Sequence, residues 1–319
     1  MQINSKTLNI AILGEGDFSP RFLRRFLHAK MFGLCCGFNS HDYEELITLR
    51  QFDEVEAAAD AVLLFDEKYT SYDYIKTCLR MCKHVFLGHP DLLTTPELNS
   101  LEMLAYEAGV KLQVSMAHRF IELNRNAKKQ IQKPHIVECN HYVKRNAKHQ
   151  VEDLVHEMLL PDIDTILHLS GERVKHVQAT GVGVLFDKPD VVNARIEFYN
   201  GCTANLSVSK IADKDVHKLR FFENNSYHTL DYRMNSYRKM SGAKEQIQMA
   251  VDQHVSPHQD DTHFHDNVNP EEILVKEIES FYYCIALGSN PMVTTMEFVE
   301  ARKVAETILD QLERNFRLK

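Results

Sequence analysis

Short apolar runs alternate with longer amphipathic stretches over the first 120 residues. The runs are NIAIL (9–13), GLCCGF (33–38), AVLLF (61–65), HVFLG (84–88) and KLQVS (111–115). Between them, stretches such as RFLRRFLHA, SYDYIKTCLRMC and TPELNSLEMLAYEAG repeat their apolar positions with helical period. Apolar runs of about five residues separated by helices predict a parallel sheet buried on both faces. Thr95-Pro96-Glu97 reads as a helix start and Gly109 as its left-handed stop. The first 120 residues are therefore expected to form a doubly wound α/β domain of Rossmann type.

The texture then changes. A helical segment near 119–132 precedes the strand HIVECNHYV, and a second helical region runs from Val151 to about Ser170. From Val174 to about Val251 strands dominate, with hairpin signals at Asn200-Gly201 and Asn224-Asn225. Two helices close the chain. Residues 121–319 are expected to form an α+β domain with a largely antiparallel open sheet, the final helices being free to pack back on the first domain.

At 319 residues, with 44% hydrophobic and 26% charged positions, the chain has room for two ordinary globular domains. A formal charge of -8 and the absence of any basic stripe argue against nucleic acid or an anionic membrane as partner. Lys144-Arg145 is read as solvated. The apolar run of the N-terminus stops at Gly14, too short for a signal peptide core or a membrane span. Seven scattered cysteines suit reduced thiols of a cytoplasmic protein. Cys78 and Cys82 lack a second pair at metal-ligand spacing.

Candidate chemistry begins at NIAILGEGDFS. Gly14 and Gly16, followed by Asp17, Phe18 and Ser19, sit between a strand and a helix, where a tight turn brings backbone N–H groups to a pyrophosphate. Strand two ends in GFNS, so Ser40 stands where an acidic residue would bind the adenine ribose. His89 stands at the end of HVFLGHP, and histidine, with a model-peptide pKa of about 6.5, is a residue type suited to proton transfer near neutrality. His254, His258, His263 and His265 offer a His-x-His pattern among acids, but the stretch reads as a polar surface connection and no metal is assigned to it.

With these pieces in place, the chain resembles the glucose–fructose oxidoreductase and inositol dehydrogenase (Gfo/Idh/MocA) family of NAD(P)-dependent sugar dehydrogenases. NIAILGEGDFS, KHVFLGHP with EAGVKLQV and HRF, PDIDTILHLSGERVKHVQATG and PDVVNARIEFYNGCTANLSVSK carry the resemblance over nearly the full length. The last two look like a subgroup associated with nucleotide sugars. The resemblance implies NAD or NADP as cofactor, a sugar-like hydroxyl as substrate, and a homo-oligomer, dimer or tetramer. It places Phe65, Asp66 and His89 beside the cofactor together with the glycine loop.

The chain departs from the family pattern at its chemistry. Gly88-His89-Pro90 stands for Glu-Lys-Pro, and Asp66-Glu67 for Thr-Pro. Glu157 and Pro161 stand for the aspartate and the proton-accepting histidine of Asp-x-x-x-His. Two expectations follow. The chain is an NAD(P)-dependent oxidoreductase in which His89 and Glu157 share the proton work, or it is a catalytically silent relative, a pseudoenzyme that binds a ligand or partner.

Overall fold

The computed structural model describes residues 7–13, 25, 31–37, 47–48, 59–144, 154–185, 188–241, 259–263 and 269–317. The chain forms two compact units, Met1–Ala117 with Asn269–Val299 and His118–Val268 with Glu300–Lys319. No helix among the described residues is long and apolar enough to cross a membrane.

In the first unit, β1 (Leu8–Leu13), β2 (Phe32–Gly37), β3 (Ile47–Thr48), β4 (Ala61–Leu64), β5 (His84–Leu87) and β6 (Leu112–Val114) form one sheet. Its order is β3-β2-β1-β4-β5-β6, and every pair is parallel. This is the doubly wound parallel sheet expected from the sequence. The apolar runs are continuous because both faces are covered: all four residues of β4 are buried. On one face, α5 (Pro270–Leu287) lays Val275, Ile278, Phe281 and Tyr282 against Leu8, Ile10, Ile12, Leu63 and Phe86.

Helix α1 (Tyr72–Arg80) follows β4, and α2 (Thr95–Ala108) follows β5. Thr94, not Thr95, caps α2: its hydroxyl accepts from the Glu97 backbone while the Glu97 carboxylate accepts from Thr94 N–H. Gly109 stops the helix at φ 69°. Cys78 is buried within α1, whereas Cys82 lies beyond its end and is exposed, so the two do not share a helix face.

The second unit carries an eight-stranded sheet of β7 (Ile136–Lys144), β8 (Val174–Val182), β9 (Val191–Phe198), β10 (Thr203–Ala212), β11 (Val216–Phe222), β12 (Ser226–Asp231), β13 (Ser236–Ser241) and β14 (Gln259–His263). The order is β14-β13-β12-β11-β7-β10-β9-β8, antiparallel except for the β7–β10 pair. Strand β14 corrects the expectation of a surface connection. QDDTH has no apolar alternation to announce a strand, yet its backbone pairs with β13 at the sheet edge. His254, His258 and His265 lie outside the described residues.

The helical segment expected near 119–132 divides into a 3₁₀ turn (Ala117–Phe120) and α3 (Glu122–Gln130). Helix α4 (Leu160–Ser170) packs near α3, and the second part of α6 (Thr295–Arg317) belongs to this unit. There Gln311 accepts from Ala179 N–H and donates to the Val177 carbonyl.

Candidate active site

At the carboxyl ends of the parallel strands, the chain leaving β4 crosses the end of β1: Phe65 N–H donates to the Leu13 carbonyl at 2.9 Å. The sheet order reverses between β1 and β4, the place where such sheets bind ligands. Phe65 packs on Phe86, with ring centroids 5.6 Å apart. Asp66 closes its own turn, Oδ1 accepting from Lys68 N–H at 2.8 Å and its carbonyl accepting from the Thr70 hydroxyl. The ends of β1 and β4 are thus the place in this sheet where a dinucleotide would be sought. Gly14, Gly16, Asp17, Phe18, Ser19 and Ser40 lie outside the described residues.

Gly88 is fixed by packing. Its N–H donates to the Leu64 carbonyl at 2.7 Å, and a Cβ would lie 2.5 Å from Phe65 Cδ1 and 2.9 Å from Leu64 O. His89 follows, exposed, at φ -124° and ψ 71° before a 3₁₀ turn starting at Pro90. None of the described residues hydrogen-bonds its ring.

In the second unit, Val155–Leu159 form a π turn that runs into α4. Pro161 accounts for it: proline offers no N–H to the Glu157 carbonyl four residues back, and its ring collides with that carbonyl in a regular helix. Glu157 is exposed on this turn and accepts from Lys210 Nζ at 2.8 Å. Lys144 is exposed, with its backbone N–H donated to Asp215, while Arg145 lies outside the described residues.

A second constellation lies just beyond Pro161. Val137 and Cys139 on β7, like Leu219 and Phe221 on β11, face the helix-covered side of the sheet. His141 and His217 continue those rows and are direct register partners. Their rings stack with centroids 3.8 Å apart and planes within 8°. Tyr232, just after β12, donates its N–H to the His217 carbonyl and covers the other face of His217 at 4.2 Å.

Asp162, in the first turn of α4, drops onto this row. Oδ2 meets His141 Nδ1 at 2.8 Å and Oδ1 meets His217 Nε2 at 2.7 Å. Cys139 donates to Oδ2 at 3.4 Å. Burial alone would raise the Asp162 carboxyl. The hydrogen bonds from His141 and His217, and the charge those rings can carry, outweigh burial and hold it well below the usual carboxylate range.

His118 stacks on Tyr232 with its Nδ1 buried and unpaired. Burial lowers His118 to about 4 against the attraction of Asp162, so it is neutral near pH 7. Tyr232 donates to Asn124 Oδ1, and Asn124 donates to the His118 carbonyl. Burial first, then the Asp162 charge, raises the Tyr232 hydroxyl. Asp164, on the same helix, receives Arg119 in a buried bidentate pair. Each of the two aspartates in this stretch thus has specific partners.

His141, Asp162 and His217 have the residue types of a metal site, and their ligand atoms lie within 4.8 Å of one another. The ring geometry does not fit one. An imidazole binds a metal in its own plane at about 2.0–2.1 Å. Two nearly parallel planes stacked at 3.8 Å cannot both contain one ion. The carboxylate instead bridges the two rings by hydrogen bonds.

A doubly wound six-stranded sheet joined to a mostly antiparallel eight-stranded one defines the class: the fold is that of the glucose–fructose oxidoreductase and inositol dehydrogenase type of dehydrogenase. No family model matches the sequence. Among curated proteins, the chain is similar to UDP-N-acetylglucosamine 3-dehydrogenase of Acidithiobacillus ferrooxidans, 25% identical over 240 residues, 73% of this chain and 72% of that one. The solved structure of UDP-N-acetylglucosamine 3-dehydrogenase from that organism superimposes with a TM-score of 0.79 at 18% identity, covering 98% of this chain and 99% of the other. Levoglucosan dehydrogenase in complex with NADH and levoglucosan matches with a TM-score of 0.76 at 11% identity, over 97% and 98% of the two chains.

Proposed function

We propose that the chain is a nicotinamide-dependent oxidoreductase that acts on a secondary hydroxyl of a sugar or nucleotide sugar. The observation that carries this reading is the end-to-end match to UDP-N-acetylglucosamine 3-dehydrogenase, with both sheets present in this chain. NAD or NADP would lie over the carboxyl ends of the parallel strands, held by the loop of Gly14, Gly16, Asp17, Phe18 and Ser19, with Ser40 at the ribose and Phe65, Asp66 and His89 at the nearer strand ends. When bound, the nicotinamide supplies the hydride acceptor.

His89 is exposed at the end of β5 and offers a hydrogen-bonding ring there. Glu157, held by Lys210, presents a carboxylate suited to accept hydrogen bonds from sugar hydroxyls. A cytoplasmic location and a homo-oligomer are part of the same proposal and rest on the family resemblance, with the open, polar face of the second sheet as the surface where copies would meet. That face carries a groove of about 510 Å³ bordered by Glu138, Asn140, Asn193, Arg195, Asn205 and Ser207.

The reading is tested by incubating the protein with UDP-N-acetylglucosamine and NAD⁺ or NADP⁺ and following reduced nicotinamide. Turnover that needs both reactants is expected. Reduced nucleotide bound without turnover of any sugar or nucleotide sugar would favour the silent relative.

A further inference from the structure

We infer that His141, oriented by Asp162, is the proton acceptor of the reaction. This rests on the dehydrogenase reading and deepens it. Oxidation of a secondary alcohol breaks a C–H bond, whose hydride passes to the oxidised nicotinamide, and an O–H bond, whose proton needs a base. Pro161 has neither N–H nor a basic side chain. The neighbouring residue, Asp162, holds a histidine in the arrangement such a base requires.

Asp162 Oδ2 bonds His141 Nδ1 at 2.8 Å. That bond places the ring proton on Nδ1 and leaves the Nε2 lone pair free to take another. Nε2 has no hydrogen-bond partner among the described residues and is not among the buried unpaired polar atoms, and the side chain keeps 17% of its surface accessible. When Nε2 takes the hydroxyl proton, the imidazolium stands against a carboxylate already in place.

The other candidates are weaker. His217 bonds the same carboxylate, but its ring is sandwiched between His141 and Tyr232. His118 has its Nδ1 buried and unpaired. The groups facing His141 are Asp162 from α4, His217 from β11 and, further along the row, Tyr232 and His118; Asp162 supplies the negative charge among them. Asp162 is then a positioning residue, since it acts through His141.

The full chain is used for the test. Nitrogen spectra of ¹⁵N-histidine protein, assigned against H141Q, should show the His141 ring proton on Nδ1. In D162N that single tautomer should give way to a mixture. H141Q should lower kcat with UDP-N-acetylglucosamine by about 10²- to 10⁴-fold, remove the acidic limb of the kcat/KM profile, and leave NADH binding unchanged. Imidazole should restore part of the activity of H141A. D162N should lower kcat more than it alters KM, with partial recovery in D162E.

An Nε2–H tautomer, or H141Q with wild-type turnover and an unchanged pH profile, overturns the assignment and leaves the dehydrogenase reading in place. If H141Q does not fold, the wild-type tautomer and the D162N and D162E kinetics decide. A wild-type protein that neither binds reduced nucleotide nor turns over any sugar substrate removes both.

Discussion

The ring of His141 lies face to face with that of His217, 3.8 Å between centroids, because the two residues are register partners across β7 and β11. Asp162 reaches both rings from the helix that covers them. Its single charge compensates one imidazolium. A proton on each ring would put two like charges about 4 Å apart, an unfavourable interaction of about 4 kcal/mol at an effective dielectric of about 20. The stack therefore disfavours a charge on both rings at once.

Asp162→Ala leaves the ring N–H groups of His141 and His217 without their acceptor and should destabilise the chain by about 3–5 kcal/mol in urea unfolding at neutral pH. The sign with pH follows from the depressed carboxyl. Its contribution is present above the unfolded carboxylate range and is lost as pH falls through the lower folded value. Wild type should lose more stability on acidification than Asp162→Asn. Equal acid sensitivity of the two would contradict the bridging role.

The stacked rings also predict indifference to metal at this cluster. An ion bound there would raise the melting temperature of wild type and not of Asp162→Asn. Scanning calorimetry with zinc and with chelator should give the same shift, or none, in both proteins.

Glu277 provides an opposite pH signature in the first unit. Its carboxylate accepts from Met116 N–H and the Ser115 hydroxyl at the end of β6, but burial raises it to about 7. Folding thus favours the protonated acid. Its contribution is complete below about 4.5 and is lost as pH rises to about 7, an effect of about 3 kcal/mol. Glu277→Gln should remove this loss, so the stability gap between variant and wild type should move in the variant's favour from pH 5 to pH 8, about the window set by that shift. A constant gap would show that Glu277 does not titrate there.

Gly88→Ala tests the packing at the strand end that presents His89. The added methyl would meet the Leu64 carbonyl at 2.9 Å as well as the Phe65 ring. Backbone cannot swing aside as a side chain does, so a destabilisation of about 1–3 kcal/mol is expected. A variant as stable as wild type would mean that β4 and β5 separate freely at their ends.

The parallel sheet was legible in the sequence because strands covered on both faces read as unbroken apolar runs. The α2 stop was legible because Gly109 supplies the left-handed turn. Strand β14 was not, since QDDTH pairs through its backbone at a sheet edge. The histidine–aspartate cluster was missed because its members come from β7, α4 and β11. One signal was available: His141 continues the inward row of Val137 and Cys139, as His217 does that of Leu219 and Phe221. Two histidines on the apolar phase of neighbouring strands require a buried partner, and Asp162 is that partner. Local motifs instead drew attention to His89 and Glu157, one exposed and the other ion-paired with Lys210.

Binding of reduced nucleotide tests the central claim most directly. NADH and NADPH should be titrated into the full-length protein while the fluorescence of the nicotinamide is followed. Saturable binding of at least one of them below millimolar concentration is the predicted result. Failure of both to bind at millimolar concentration would contradict the assignment of this chain as a nicotinamide-dependent oxidoreductase.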